Sequence, residues 1–336
     1  MASRVGRYTI RLDGSAAVKG FASVVGKKEG EGPLCDQFDF VSEDNAFGEK
    51  TWEKAESRMQ KDTVSRALNK AGVTPDTVDL IFAGDLLNQC IGSSYGLREF
   101  GIPFVGLFGA CSTMAESLSL AALFLDNNAA NVTMALTSSH FCSAERQFRT
   151  PLEYGGQRTP TSQWTVTGCG AAVLSRDGQG PFVKEVTFGK ILDLGIKDIG
   201  NMGAAMAPAA AETIRAYFSD TGARPDDFDL IATGDLGFIG FELTCDLLKK
   251  EGLTLRNFTD CGMLIFDRER QDVHAGGSGC GCSAAVLCSY ILNSMQKAKL
   301  REVLFVGTGA LMSPTSIQQG ESIPSVAHLV HLSVNR

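Results

Sequence analysis

Short apolar runs alternate with longer, mostly apolar stretches along this chain, which is the pattern of an α/β protein. The runs at residues 78–83, 228–232 and 303–306 show no polar alternation, so we expect strands covered by helices on both faces. Residues 110–125 and 282–291 are longer and apolar, and they predict helices.

One set of elements occurs twice, 150 residues apart. Pro75-Asp-Thr-Val-Asp-Leu-Ile81 is echoed by Pro225-Asp-Asp-Phe-Asp-Leu-Ile231, and Gly-Asp-Leu follows at 84–86 and at 234–236. A glycine stands three residues before each proline, where it suits the end of a helix. Each copy predicts a helix, a glycine stop, a Pro-Asp turn and a buried strand. Two copies at so long a period favour duplicated α/β halves over a solenoid.

Composition narrows the class of protein. The chain has 336 residues, 44% hydrophobic and 21% charged, which is ordinary for a globular protein. A net charge of −7 without a basic stripe argues against nucleic acid as a partner. The ten cysteines lack the spacing of zinc ligands, so we expect reduced, buried thiols and no metal site. No apolar leader opens the chain and no apolar run is long enough to span a bilayer, so we expect a cytoplasmic protein.

Cys111 is the first candidate for chemistry. It follows an apolar strand-like run and a small-residue elbow, Gly109-Ala-Cys-Ser112, and a predicted helix begins directly after it. The amides and dipole of a helix N-terminus favour a thiolate or a bound anion, which is the setting of a nucleophilic cysteine. A small buried cysteine filling a tight turn explains the same residues equally well.

The second candidate is a glycine-rich loop, His274-Ala-Gly-Gly-Ser-Gly279, which leads into an apolar helix. Such a loop can present several backbone amides to a carboxylate or phosphate. It has neither the Lys-Ser/Thr of a Walker loop nor the glycine spacing of a dinucleotide site. His274 stands at its entrance and Ser278 within it, although a lone histidine is more often a structural hydrogen-bonding residue. The loop therefore predicts an anion-binding surface facing Cys111.

Three motifs resemble the thiolase and ketoacyl synthase superfamily in kind and order: the Cys111 elbow, Thr167-Gly-Cys-Gly-Ala-Ala-Val-Leu174 and Val306-Gly-Thr-Gly-Ala310. The resemblance implies a thiolase-like α/β fold, a duplicated five-layered α-β-α-β-α architecture of two pseudo-two-fold-related halves. We place these halves at residues 1–180 and 181–336. Proteins of this superfamily are typically dimers, so a homodimer is expected.

The whole chain more closely resembles the stage V sporulation protein AD family of spore-forming Firmicutes. The segments that carry this resemblance are Phe108-Gly-Ala-Cys-Ser-Thr-Met-Ala-Glu116, Arg149-Thr-Pro-Leu-Glu-Tyr-Gly-Gly156 and Asp272-Val-His-Ala-Gly-Gly-Ser-Gly-Cys-Gly-Cys282. It implies binding of dipicolinic acid (pyridine-2,6-dicarboxylate) or its calcium chelate, and support of its uptake into the developing spore. It also implies membrane-protein partners encoded alongside, and a peripheral association with the spore inner membrane. No cofactor is expected, and calcium would enter only as part of a bound chelate.

The catalytic set of the superfamily is incomplete here. Cys111 and His274 match a thiolase nucleophile and its histidine, but Phe305 stands where the second cysteine would be. Gly234 occupies the position of the second-half histidine of a type III ketoacyl synthase. Loss of one proton carrier reduces rates by about 10²–10⁴-fold. A binding protein is therefore the first hypothesis, with an acyltransferase using Cys111 and His274 as the alternative; a structural scaffold without a ligand is a weaker third.

The ligand would have several further contacts. The backbone amides of Cys111 and Gly309 could form an oxyanion-type site that accepts a carboxylate. Lys197, Asp198 and Asn201 lie in the segment that joins the halves, which passes the pocket in a thiolase-like fold. Because the protein is acidic, the neutral calcium chelate would meet less long-range repulsion than the free dianion, and protein carboxylates could complete its oxygen shell. Ordinary surface positions are the alternative for these three residues.

Overall fold

A computed structural model describes residues 1–148 and 158–336 of the chain. The strands are β1 (Ser3–Arg4), β2 (Thr9–Arg11), β3 (Ala17–Val25), β4 (Phe40–Val41), β5 (Leu80–Gly84), β6 (Phe104–Gly106), β7 (Val132–Ser139), β8 (Trp164–Thr165), β9 (Gly168–Ser175), β10 (Phe182–Phe188), β11 (Leu230–Thr233), β12 (Phe258–Asp260), β13 (Gly277–Ser278), β14 (Glu302–Ala310) and β15 (Ser325–Ser333). The helices are α1 (Lys27–Gly30), α2 (Trp52–Ala71), α3 (Ile91–Leu97), α4 (Thr113–Asp126), α5 (Phe141–Phe148), α6 (Met202–Thr221), α7 (Gly237–Lys250), α8 (Cys261–Leu264), α9 (Cys280–Val286), α10 (Leu292–Gln296) and α11 (Pro314–Gln318). A π-helical turn, Leu287–Ile291, joins α9 to α10.

The strands form two half-sheets of the same order, β3-β9-β7-β5-β6 and β10-β15-β14-β11-β12. Their registers match: Leu80 pairs with Thr133 in the first half, as Leu230 pairs with Val303 in the second. A single pairing between β3 and β10 links the half-sheets. The duplication predicted from the sequence is therefore confirmed by strand order and register.

The layers alternate helix and sheet. Helix α2 packs on the first half-sheet and α6 on the second, while α4 and α9 lie between the sheets. The largest apolar cluster, which includes residues of α4, α9 and both half-sheets, fills this central layer. The central strands are covered by helices on both faces. They are therefore continuously apolar and do not alternate between apolar and polar residues. The predicted five-layered thiolase-like α/β fold is confirmed.

The residues of the repeated motif end a helix and hold the start of a neighbouring strand. Gly72 and Gly222 end α2 and α6 in the left-handed conformation, with φ of 65° and 70°. Asp79 and Asp229 then perform the same task in each half, since the side chain of each accepts two backbone amides of the neighbouring strand segment. The predicted helix, glycine stop, Pro-Asp turn and buried strand are present in both copies.

The N-terminal strands cross between the halves. Strand β2 pairs with β10, and the carboxylate of Asp220 on α6 accepts the amides of Arg7, Tyr8 and Thr9. The boundary near residue 180 stays a prediction, and the first residues of the chain pack on the second half. In the described ranges, no helix combines the length and apolarity needed to cross a bilayer.

A charged cluster fixes β15 between β10 and β14. The His331 ring lies 3.3 Å from Glu185 Oε2 through Nδ1 and 2.8 Å from Glu302 Oε2 through Nε2. Tyr217 and Arg11 also donate to Glu185, at 2.7 and 2.8 Å. Burial lowers the pKa of His331, but the two glutamates outweigh burial and the pKa is raised overall. The two carboxylates therefore favour the cationic form of His331 inside the second half.

We predict that His331→Gln lowers the free energy of unfolding by about 1.5–3 kcal/mol at low pH, the worth of hydrogen bonds to charged groups. Because the pKa of folded His331 exceeds the unfolded value of about 6.5, this stabilisation is complete below about pH 6.5 and is lost as pH rises through the folded pKa. Urea unfolding of both proteins from about pH 5.5 to 9 measures it.

The matched control is His328→Gln on the same strand. Burial lowers the pKa of His328 to about 4, so its contribution is present above about pH 6.5 and falls as pH drops towards 4. The two variants should therefore differ from the wild type with opposite pH slopes. Parallel slopes would contradict the assignment of a charged His331.

Candidate functional site

A pocket of about 380 Å³ opens where the two halves meet, beside the start of α4. Its described lining is mainly apolar, with polar groups at the floor and on one wall. The lining residues are Leu86, Phe108, Ala110, Cys111, Ala144, Glu145, Phe148, Thr165, Met202, Ser278, Ala310, Leu311, Met312, Ser313 and Ser316. We call this the Cys111 pocket; none of these fifteen residues is basic.

Cys111 lies in a single 3₁₀ turn, Ala110–Ser112, directly before α4. Ala110 adopts a left-handed φ of 51°, uncommon for a residue with a Cβ, and this makes the chain turn sharply at the pocket. Local bonds hold the turn, because Ser112 Oγ donates to the carbonyl of Gly109 at 2.6 Å. The turn leaves the Cys111 side chain only 7% exposed, at the floor of the pocket.

Beneath the floor lies the carboxyl group of Asp235, in the turn between β11 and α7. Its Oδ2 accepts the Gly279 amide at 2.8 Å and the Ser278 hydroxyl at 3.2 Å. Its Oδ1 accepts the Thr308 hydroxyl at 2.9 Å, and the Cys111 thiol lies beside the same carboxyl group. Asp235 is fully buried, so it acts on the pocket through the two floor residues that it holds.

Burial sets the protonation of this pair. It raises the pKa of Asp235 to about 6, although hydrogen bonds to the carboxylate oppose the rise. Burial also raises the pKa of the Cys111 thiol well above its ordinary value, and the neighbouring charge of Asp235 raises it further. Cys111 is consequently a protonated thiol at neutral pH, and the helix N-terminus does not make it a thiolate as the sequence had led us to expect.

A further layer of side chains fixes Asp235. Gln163 Nε2 donates to the carbonyl of Asp235 and to that of Gly277, both at 2.7 Å. Asp260, at the end of β12, accepts the amides of the next two residues, Leu236 and Gly237, at 2.9 Å each. Burial raises the pKa of Asp260 to about 7. The floor of the pocket is therefore positioned by both halves of the chain.

The glycine-rich loop presents Ser278 at the pocket floor. Strand β13 pairs with β8, with Gly277 opposite Trp164. The chain then turns at Gly279, where φ is 98°. A Cβ at Gly279 would lie 2.6 Å from Ser139 Oγ, so only glycine allows this close passage. The loop thereby brings both the Ser278 side chain and the Gly279 amide to Asp235.

His274 is not among the described residues that line the Cys111 pocket, whereas Cys111 and Ser278 both are. Its φ is 50°, its side chain is 32% exposed, and Nε2 lies 3.5 Å from Asp272. The backbone carbonyl of His274 accepts a bond from Arg268.

The three linker residues make other bonds. Lys197 Nζ donates to the carbonyl of Gly320 at 2.6 Å, and Asp198 Oδ1 accepts the amide of Gly200. Asn201 caps α6 by accepting the amide of Ala204 at 3.3 Å. None of the three is among the described lining residues; Met202, the next residue, is.

The remaining candidates lie in or beside strands. Phe305 is fully buried in the central apolar cluster. Gly234 has no side chain. The next residue, Asp235, supplies the carboxyl group beside Cys111. Gly309 packs against Gly109, where an added Cβ would lie 2.7 Å from the carbonyl oxygen, and its neighbour Ala310 lines the pocket.

Sequence reasoning missed Asp235 and Glu145. Asp235 carried a signal, because it belongs to the repeated Gly-Asp-Leu motif and stands one position after Gly234. Glu145, on α5, accepts the Thr165 hydroxyl at 2.8 Å on the pocket wall and had no such signal. The segment 149–156, used for the resemblance, lies outside the described residues. Within the described ranges, no group of three or more His, Cys, Asp or Glu side chains is placed to bind a metal ion.

The fold is that of known condensing enzymes. It is similar to 3-oxoacyl-[acyl-carrier-protein] synthase III from Aquifex aeolicus VF5, with a TM-score of 0.58 and 12% identity over 95% of this chain and 99% of that one. Cerulenin-bound OleA from Xanthomonas campestris gives a TM-score of 0.58 and 12% identity, covering 95% and 96% of the chains. At such identities the likeness concerns the fold alone.

The sequence has a nearer relative. Stage V sporulation protein AD of Bacillus subtilis (strain 168) is 45% identical over 324 residues, 96% of this chain and 96% of that protein. The family model for stage V sporulation protein AD matches residues 6–333. The chain therefore belongs to the stage V sporulation protein AD family, as a sporulation protein with a thiolase-like fold.

Proposed function

We propose that the protein binds dipicolinate, free or as its calcium chelate, in the Cys111 pocket and supports its uptake into the developing spore. The observation that carries the proposal is the floor, where Ser278 is hydrogen-bonded to a buried carboxyl group that lies beside Cys111. A thiol kept protonated in this way suits holding a ligand better than attacking it.

The pocket suits a small aromatic acid in size and lining. Its volume of about 380 Å³ lies in the ordinary range of small-molecule sites, roughly 300–1,000 Å³. Phe108, Met202 and Met312 offer apolar and polarisable surface to a ring. Hydroxyl, thiol and backbone groups at the floor are the few polar partners that would orient its carboxylates.

The acyltransferase alternative is disfavoured by the same geometry. An active cysteine needs a neighbouring base or a lowered pKa, whereas burial and Asp235 raise the pKa of Cys111. His274, the only base that the sequence offered, lies outside the described pocket lining. Phe305 and Gly234 supply no proton carrier. The described lining of the Cys111 pocket therefore contains no histidine that could act as the base.

A second copy of the chain is the partner that the first half-sheet favours, as the family resemblance also implies. Among the described strands, β6 pairs only with β5, which leaves its other edge without a strand. Phe104 on this strand is 41% exposed, and Phe108 just beyond it is 54% exposed. At the opposite edge, β12 likewise pairs with one described strand, and its Phe258 stacks on Phe241 of α7. An apolar, open edge strand is a ready template for pairing with another chain.

The cellular setting is proposed from the family resemblance. The protein would act in the cytoplasm of the sporulating cell, bound peripherally at the spore inner membrane. Its partners there would be membrane proteins encoded alongside it.

We predict that Cys111 reacts slowly with iodoacetamide. Because its thiol is buried and protonated, its alkylation near neutral pH should be at least about tenfold slower than that of exposed Cys35 in the same sample. Peptide mass spectrometry over a time course measures both rates. Labelling of Cys111 as fast as Cys35, or faster, would favour the acyltransferase alternative over a binding protein.

Calorimetric titration with dipicolinate, with and without calcium, tests binding. We expect one site per chain, blocked by Cys111→Trp because the indole would fill the pocket floor. Ser278→Ala should weaken binding by about tenfold or more, since a charge-assisted hydrogen bond contributes about 1.5–3 kcal/mol.

Two controls accompany these variants. Ser283→Ala removes a buried hydroxyl of α9 that donates to the Cys280 carbonyl, away from the described pocket lining, and should leave the dissociation constant unchanged. His274→Ala should also leave it unchanged. Equal weakening by Ser278→Ala and Ser283→Ala, or full affinity in a folded Cys111→Trp variant, would contradict the pocket assignment.

Sedimentation or light scattering tests the dimer. Phe104→Lys puts a charge on the open edge of β6 and should shift the protein towards the monomer. Phe40→Lys is the matched control, because Phe40 is 40% exposed and lies elsewhere, on β4. A wild-type monomer, or equal dissociation by both changes, would exclude the β6 interface.

A further inference from the structure

We infer that the Cys111 pocket takes up one proton together with a carboxylate ligand, and that Asp235 is the group that binds it. This inference rests on the proposed function, because it concerns ligand binding at the same floor. It follows from the direction of the hydrogen bonds beneath the pocket.

With Asp235 ionised, the Ser278 hydroxyl donates away from the ligand. The carboxylate has no proton to give, so the bond at 3.2 Å from Ser278 must run towards Asp235. Ser278 then directs only oxygen lone pairs at the pocket. Such a floor repels a carboxylate oxygen.

A proton on Asp235 reverses this polarity. Oδ2 can then donate to Ser278 Oγ, which frees the serine hydroxyl to donate into the pocket. The other partners do not prevent the change, since Thr308 and the Gly279 amide donate to Asp235 in either state. The floor thereby changes from an acceptor surface to a donor surface, and the proton comes from solvent.

The surroundings of Asp235 favour uptake of that proton. Asp260 faces it from β12, and the thiols of Cys261, Cys280 and Cys282 lie on α8 and α9, with Cys111 in the turn before α4. Across the pocket, Glu145 on α5 accepts the Thr165 hydroxyl. The described groups around Asp235 are thus acids and thiols, so a bound carboxylate would add to the negative charge.

The magnitudes place the effect in a measurable range. Burial raises the pKa of Asp235 to about 6, whereas an ordinary carboxyl ligand, with a pKa of about 4, stays ionised from pH 6 upwards. Over this range the protein gains the proton and the ligand does not. If only the protonated floor binds, affinity falls as pH rises, by up to about tenfold for each pH unit above about 7.

Calorimetry of wild-type protein with dipicolinate measures the proton directly. Titrations near pH 8, in buffers of different ionisation enthalpy, should show uptake close to one proton per ligand. Binding without proton uptake would overturn this inference and leave the proposed function standing. The absence of binding at every pH from about 6 to 8 would remove both.

Asp235→Asn identifies the group, because the amide is neutral like the protonated carboxyl and its Nδ2 can donate to Ser278, although that nitrogen cannot accept the Gly279 amide as Oδ2 does. The variant should bind dipicolinate near pH 8 about as tightly as the wild type does near pH 6, without proton uptake. Asp85→Asn, in the matching Gly-Asp-Leu of the first half, should keep the wild-type pH profile.

Thermal melts establish that both variants fold. If Asp235→Asn does not fold, the wild-type proton count still decides whether a proton is taken up. A folded Asp235→Asn protein that retains the wild-type pH dependence would assign the proton elsewhere, Asp260 being the nearest alternative, and would overturn the role of Asp235.

Discussion

The hydrogen bonds on the buried carboxyl of Asp235 hold the site together. Cys111 comes from the first half of the chain, while Ser278 and Gly279 of the glycine-rich loop and Thr308 of β14 come from two separate places in the second. A buried carboxyl without partners would be strongly destabilising, so these donors must be in place whenever the protein is folded. The same bonds fix which atoms of the pocket floor are turned towards a ligand.

The two halves use the repeated Gly-Asp-Leu motif differently. Both halves carry Gly-Asp-Leu after a central strand, but the two aspartates have different neighbours. Asp85 accepts the Ser93 amide and hydroxyl at 2.7 and 2.6 Å, which fixes the start of α3. Asp235 instead meets the glycine-rich loop and β14. One repeated turn thus serves local structure in one half and the pocket in the other.

Much of the fold followed from local physical chemistry. Gly72 and Gly222 end helices, a task that is set by residues near in sequence. Asp79 and Asp229 bond to distant strand segments, but both belong to the repeated motif. Continuous apolar strands similarly required helices on both faces. These features are determined within a few residues, or by a period that is visible in the chain.

The site was only partly predictable because it depends on contacts between distant segments. Cys111 and Ser278 could be assigned to one pocket from the elbow and the glycine loop. His274, at the loop entrance, has a left-handed φ of 50°. No local sequence pattern predicts this backbone conformation. The polar groups of Lys197, Asp198 and Asn201 are used by nearby backbone atoms, which the sequence does not reveal.

The absence of a histidine from the described lining of the Cys111 pocket fits the proposed role in holding and releasing a ligand. A condensing enzyme needs a group that moves protons while charge develops on the substrate. A carrier instead needs a site whose affinity can change without a covalent step. A buried carboxyl with a pKa of about 6 provides such a change, because its charge can differ across a modest pH range. The buried acid that raises the pKa of Cys111 is therefore also the group that, in the proposed role, makes binding reversible.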